Sequence, residues 1–201
     1  KLVPYLDIPI QHISSPMLRA MKRGVSSEQV ADILWRLRDE VPGVAVRSTY
    51  IVGFPGETEA DFEQLLAFTE KYRFERLGVF TYSPENGTPA ADMDQMVSEK
   101  VKKARQRQLM AVQRKISKGY FRSLVGTVQP VIIEGVSDET DLLLQGRMAS
   151  QAPDIDGKVL INAGQARVGS IVPVRMTRAL DYDIIGEIVG GMQEQLEEYA
   201  V

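Results

Sequence analysis

The chain contains no cysteine and a single histidine, His12. Without a thiol there is no disulfide, no thiolate-held metal or iron–sulfur cluster and no cysteine nucleophile within these residues. One histidine excludes a His-rich metal site and leaves no spare base for a Ser-His-Asp triad. No apolar run approaches the roughly 18 residues that span a bilayer. Lys1-Leu2-Val3-Pro4 is not a secretory signal, so a cytoplasmic protein with no membrane partner is expected. An initiator Met is also missing, which reads as numbering that starts inside a longer chain. The net charge of −3 excludes a polycation that binds nucleic acid nonspecifically.

What remains is an ordinary globular mixture of 201 residues, 44% apolar and 25% charged, enough for one large domain or two small ones at roughly 150 residues each. Residues 1–97 alternate strand and helix. Tyr5 to Ile10 reads as a strand, and Ser15 to Lys22 as a helix with Ser15 as N-cap and Pro16 at its first position. A second helix begins at Ser26 or Ser27, carries Val30, Ile33, Leu34 and Leu37 on one face, and stops at Pro42-Gly43. Val44 to Val52 is a strand, Glu59 to Tyr72 a helix with Phe62, Leu65, Leu66 and Thr69 inward, and Leu77 to Tyr82 another strand. Such alternation indicates βαβ crossovers and a parallel sheet. Three strands would make a poor domain alone, so the sheet is expected to continue upstream.

Residues 98–124 form a basic linker helix. Val101, Ala104, Leu109, Val112 and Ile116 make an apolar stripe. Lys100, Lys102, Lys103, Arg105, Arg107, Arg114, Lys115 and Lys118 fill the other faces, expected to be solvated, with an RNA-gripping ridge as the alternative. Residues 125–191 change character. Val128 to Ile133, Asp141 to Arg147, Lys158 to Ile161, Ile171 to Thr177 and Asp183 to Ile188 are short β-rich runs parted by turn residues, which predicts a small five-stranded, OB-like antiparallel barrel. Residues 192–201 are left as a C-terminal tail.

Ligands of parallel sheets bind beyond the C-terminal strand ends. There the chain places Gln11-His12-Ile13-Ser14, Gly53-Phe54-Pro55-Gly56-Glu57-Thr58 and Tyr82-Ser83-Pro84-Glu85. Gln11, His12, Ser14, Tyr82 and Ser83 could hydrogen-bond a cofactor, and Gly53 and Gly56 could let backbone approach a flat ring. Strand-end glycines are equally common as plain turn residues. His12 reads first as a structural hydrogen-bonding residue, and Glu57 as first-turn charge favouring the next helix.

The run Arg47-Ser48-Thr49-Tyr50-Ile51-Val52-Gly53-Phe54-Pro55-Gly56-Glu57-Thr58-Glu59 closely resembles the fifth-strand region of the methylthiotransferase branch of radical S-adenosylmethionine (SAM) enzymes. Tyr82-Ser83-Pro84-Glu85, with Gly87-Thr88-Pro89-Ala90, resembles that branch's sixth-strand motif, and the helix and barrel that follow resemble its linker and TRAM domain. Tyr5 to Ser14 is similar to the RimO type, which modifies an aspartate β-carbon of ribosomal protein S-twelve.

The resemblance implies the C-terminal part of a partial (β/α) TIM-like barrel followed by a TRAM barrel. It implies SAM as cofactor and two 4Fe-4S clusters in the full-length protein, with cysteines upstream and none held here. It places Gln11 and Ser14 at the ribose or amino acid end of SAM, Arg47 at its carboxylate, and Ile51 and Gly53 along the adenine beside the Phe80 to Tyr82 strand end. Arg47 could instead pair with Asp39 or Glu40. No catalytic residue and no metal ligand is expected within these residues, which would be inactive alone.

The TRAM stretch carries five basic residues (Arg147, Lys158, Arg167, Arg175 and Arg178) and about nine acidic ones. That balance suits a basic ribosomal protein and disfavours a phosphate backbone. The expected partner is protein S-twelve, with nucleic acid not a direct substrate and the protein a monomer. A MiaB-like tRNA adenosine methylthiotransferase and a non-enzymatic OB-like binding module are the alternatives. Asp181-Tyr182-Asp183 resembles the family's closing-strand sequence, read as turn and register or as a docking surface.

Overall fold

A computed structural model of the chain describes residues 2–138 and 140–190; the tail assigned to 192–201 lies outside the described residues. The chain divides into two compact units. One spans Leu6–Ile116; the other takes in residues from Ser117 onward with the few before Leu6, so the division falls inside a helix.

In the first unit the elements are β1 (Tyr5–Asp7), α1 (Ser15–Ala20), α2 (Ser27–Glu40), β2 (Ala45–Val52), α3 (Glu59–Tyr72), β3 (Arg76–Thr81) and the start of α4 (Glu99–Leu124). Both long helices open on reciprocal capping boxes. Ser26 accepts from the Gln29 N–H while the Gln29 side chain accepts from the Ser26 N–H, and Thr58 with Asp61 repeats the arrangement. The sheet runs β1-β2-β3, with β2 and β3 parallel from Arg47 opposite Arg76 to Val52 opposite Thr81.

Alternation along β2 buries Val46, Ser48, Tyr50 and Val52 against α1, α2 and α3, where Leu18, Leu34, Phe62, Leu65 and Phe74 complete the core. The other face, with Arg47, Thr49 and Ile51, is only half-buried. Ile33, expected in the apolar face of α2, is 51% exposed, while Val30 and Leu34 are buried.

The linker helix packs on a face that only part of its apolar stripe, Leu109 and Ile116, marks. Lys102, Arg105, Leu109, Gln113 and Ile116 are buried, whereas Val101 is exposed. Thus Lys102 and Arg105, expected in a solvated face, are inside. Arg105 turns in to meet Glu57, and Lys102 follows the edge and flanks of β3. Lys102 Nζ donates to Tyr82 O at 2.9 Å, Gln106 Nε2 to Val79 O at 2.7 Å and Gln113 Nε2 to Phe74 O at 3.0 Å. These carbonyls need donors once they leave water.

The second unit is a closed barrel of β4 (Val128–Ser137), β5 (Thr140–Met148), β6 (Val159–Ala163), β7 (Ile171–Ala179) and β8 (Ile184–Ile188), ordered β4-β5-β6-β8-β7. The β6–β8 seam is parallel and the other four are antiparallel. The α/β and all-β division read from the sequence is therefore present. Its core cluster is apolar: Val131, Ile133, Val159, Val174, Met176 and Ile184 pack with Phe121 from the last turns of α4. Asp183 Oδ1 accepts the Lys158 N–H at 2.7 Å and Lys118 Nζ meets Asp181 Oδ1 at 2.9 Å, so this acidic pair fixes turn and register. Gly157 lies beneath that turn, where a Cβ would sit 1.7 Å from Tyr182 O. Gly157→Ala is expected to destabilise the barrel by about 1–3 kcal/mol, the usual cost of overpacking, measured as a lowered thermal midpoint.

Candidate cofactor-binding site

Beyond β1 the chain stays beside β2 and bonds it again at Gln11. The Gln11 N–H donates to Thr49 O and the Ile51 N–H donates to Gln11 O, each at 2.9 Å. This holds Gln11 at φ 68°, a left-handed conformation that a residue with a Cβ seldom adopts. Gln11 and Ile51, with Met21, Phe54, Ala90 and Met93, line a depression of about 450 Å³ at the C-terminal end of β2. Its size falls within the range of small-molecule sites, and its walls are mainly apolar. The side-chain Oε1 of Gln11 is buried without a hydrogen-bond partner.

Behind the depression lies a buried ionic cluster. The Glu57 side chain is fully buried; Oε1 meets His12 Nε2 at 3.2 Å, and Oε2 meets Arg105 Nη1 at 2.7 Å and accepts the Gly53 N–H. Arg105 reaches on to Glu59 Oε2 at 3.0 Å and to Glu57 O at 3.2 Å. The Ser14 N–H donates to His12 Nδ1 at 2.9 Å, which places the ring proton on Nε2 facing Glu57. The Ser14 hydroxyl donates to Asp61.

The residues expected to touch a cofactor divide into three groups. Gln11 and Ile51 meet in the depression. Arg47 and Phe80 stand on the half-buried face of the sheet, Phe80 being 57% exposed. Arg47 pairs with Asp7 at 3.2 Å and not with Asp39 or Glu40, the pairing expected as its alternative. Ser14, Gly53 and Tyr82 lie inside the wall. Ser14 is fully buried on Asp61, and Tyr82 packs edge-on against Phe54 with ring centroids 5.1 Å apart. Gly53 adopts φ 74°, and the space a Cβ would need is filled by the stem of Lys102, whose Cγ would be 2.2 Å away.

With this geometry in view, comparison with known proteins is informative. The TRAM domain model matches residues 125–189, the barrel. Over 189 residues the chain is 53% identical to a protein of Geotalea uraniireducens (strain Rf4) named "Ribosomal protein uS12 methylthiotransferase RimO". It is 55% identical over 188 residues to one of the same name from Pelobacter propionicus (strain DSM 2379 / NBRC 103807 / OttBd1). The chain is a RimO relative. Each alignment takes in 94% of the chain, and the chain spans 42% of the length of these RimO proteins. A chain titled "Coproporphyrinogen III oxidase (HemN) from Escherichia coli is a Radical SAM enzyme" is a looser likeness. It has a TM-score of 0.48 and 14% identity, over 73% of this chain and 39% of that one.

Among the described residues no group of three or more His, Cys, Asp or Glu is placed to hold a metal. No described helix is long and apolar enough to cross a membrane. For an adenosyl group the depression offers a fit in its apolar wall from Ile51, Phe54 and Met93, with the Gln11 side chain, whose Oε1 has no hydrogen-bond partner, at its rim.

Sequence reasoning gave Glu57, His12 and Arg105 only generic roles. The available signal was arithmetic: one His and one Glu flank strand ends, and a chain that buries a Glu must bury a cation with it. Truncating one partner of such a pair strands the other. Arg105→Met is expected to lower the unfolding free energy by about 3–5 kcal/mol, against less than about 1 kcal/mol for Arg36→Ala, whose partner Glu40 is exposed. Urea denaturation of the two variants measures the contrast.

Asp61 supplies a pH test. Partial burial raises its pKa, but hydrogen bonds from Ser14 and Thr58 outweigh this and hold the carboxyl below its ordinary 3.8. A depressed native pKa adds stability that is complete above 3.8 and is lost as pH falls through the lower native value. The gap in unfolding free energy between the parent and Asp61→Asn is therefore expected to be widest near neutrality and to shrink below that pH.

Proposed function

We propose that this chain is part of a radical SAM methylthiotransferase that modifies the β-carbon of an aspartate in ribosomal protein S-twelve, supplying part of the SAM site and the TRAM barrel. The observation that carries this reading is 53–55% identity along 94% of the chain to RimO proteins. The depression at the end of β2 supports it from the side of geometry. Bound SAM would supply the radical chemistry that takes hydrogen from an unactivated carbon. The clusters belong to cysteines that this sequence does not contain, so these residues have no methylthiotransferase activity alone.

The chain's own groups bind and orient. Gln11, Ile51 and Met93 would hold the adenosyl group, Gln11 through its side-chain amide and Ile51 with Met93 by excluding water from one side of it. Arg47, held by Asp7 on the half-buried sheet face, is the candidate for the SAM carboxylate. Phe80 stands beside it. Ser14, Gly53 and Tyr82 shape the wall from behind. The barrel docks the basic substrate; the described part of the protein acts as a monomer in a cytoplasmic setting.

The complete protein, expressed anaerobically and reconstituted with iron and sulfide, is given SAM and reductant with small ribosomal subunits or bulk tRNA. A methylthio mass shift on one aspartate peptide of S-twelve, with tRNA unchanged, is the expected result. A modified tRNA adenosine overturns the substrate, and no modification by a protein that has assembled its clusters overturns the activity. In the same protein, Gln11→Gly removes the strained φ and the acceptor together. Its thermal midpoint is expected to hold or rise, since relief of a left-handed residue is worth about 1 kcal/mol, while its affinity for SAM falls roughly tenfold, as for one lost hydrogen bond of about 1.4 kcal/mol.

A further inference from the structure

Three observations meet on one short piece of backbone. Gln11 is held in a left-handed conformation, its carbonyl and N–H are both bonded to β2, and its side-chain oxygen is buried without a partner. The next residue is His12, whose Nε2 reaches Glu57. The other oxygen of that carboxylate takes the N–H of Gly53, which lies two residues past Ile51. Ile51 N in turn donates to Gln11 O.

Gln11, His12, Glu57, Gly53 and Ile51 therefore form a closed ring of peptide and hydrogen bonds. The two residues of that ring that face the depression are the ones it places. Arg105 enters from α4 and sets its guanidinium against the Glu57 carboxylate inside the protein, with both Nη1 contacts on Glu57 and Nη2 on Glu59. A neutral or absent cation would leave the carboxylate without compensation and the ring without its fixed corner.

We infer that His12 and Arg105 are positioning residues for the cofactor, acting through Glu57 to set the spacing between Gln11 and Ile51; this rests on the SAM reading given above. Neither touches the depression. They act by over-determining a conformation that Gln11 would otherwise leave, which is how strained backbone persists at binding sites. A helix that precedes the barrel is by this argument a component of the site.

The test uses the complete reconstituted protein and three variants: His12→Ala, His12→Gln and Arg105→Lys. SAM affinity is measured by equilibrium dialysis under anaerobic conditions, beside the thermal midpoint and the KM values for SAM and for ribosomal subunits. For His12→Ala, SAM affinity is expected to fall about tenfold and KM for SAM to rise to match, one charge-assisted hydrogen bond being worth at least that factor. KM for the ribosomal substrate stays unchanged. His12→Gln, which can still present a donor to Glu57, recovers most of the loss, and Arg105→Lys keeps the charge and loses affinity to a smaller degree. If His12→Ala and Arg105→Lys melt lower but bind SAM as the parent does, the ring is structural only and the inference is overturned with the SAM reading intact. If the parent itself binds no SAM, the SAM reading fails and the inference fails with it.

Discussion

The Glu57 carboxylate is the constraint on which the α/β unit depends. It is fully buried, and an ionised carboxylate in that position is tolerable only with a cation and hydrogen-bond donors around it. Its donors come from His12 after the first strand, Gly53 at the end of the second and Arg105 on the last helix. Three segments far apart in sequence are thereby tied at one point. Loss of any one leaves the others holding unsatisfied polar groups, so this end of the unit is expected to open as a whole rather than fray strand by strand. Hydrophobic burial supplies most of the unit's stability, but it is non-directional and would tolerate several placements of the strand ends. The carboxylate selects one.

The same logic explains α4. A helix lying over the edge of a parallel strand cannot bury an apolar face there without stranding carbonyls, so its inner positions are Lys102, Gln106 and Gln113, each donating to β3 or its flanks. Leu109 and Ile116 fill the gaps between those donors. With the β3 edge closed in this way, the half-buried face bearing Arg47, Thr49 and Ile51 is the least covered part of the sheet. Parallel sheets are ordinarily covered on both faces. The barrel is built on a different principle: its core cluster is apolar and packed by shape, with Gly157 yielding space to a turn carbonyl and Phe121 filling the core, while Asp181 and Asp183 fix the turn.

These two principles account for what could be read in the sequence. Elements fixed by local chemistry were legible. The capping residues Ser26 and Thr58, the alternation through Val128 to Ile133, and the apolar spacing of Phe62, Leu65 and Thr69 each signal their structure within a few residues. The phase of α4 was not legible. Val101 and Ala104 form the better stripe, yet Lys102 and Arg105 go inward because their partners, Tyr82 O and Glu57, lie 20 and 48 residues away. Ile33 failed in the opposite sense: it extends a good periodic pattern, but α2 buries a narrower face than the pattern allows. The candidate site divides along the same line. Gln11 and Ile51 could be placed by strand position, whereas the occupation of Gly53's open side by Lys102 could not, because it depends on where a later helix lands.

Gln11 is the most instructive residue of the site, because local preference and observed structure disagree there. A left-handed backbone favours glycine, and this chain uses glycine at Gly43, Gly53 and Gly56, where the same sign of φ occurs. At Gln11 it keeps a long polar side chain instead, at a cost of about 1–3 kcal/mol, and leaves that side chain's oxygen buried and unpaired. Backbone bonds to Thr49 and Ile51 hold the conformation, but nothing in the fold pairs the oxygen. Departures from local preference are expected chiefly at functional or strained sites, with compensation elsewhere. A ligand donor reaching Oε1 would remove the unpaired acceptor and give the strained backbone its reason, so both apparent defects of the isolated chain have a single resolution in the bound state.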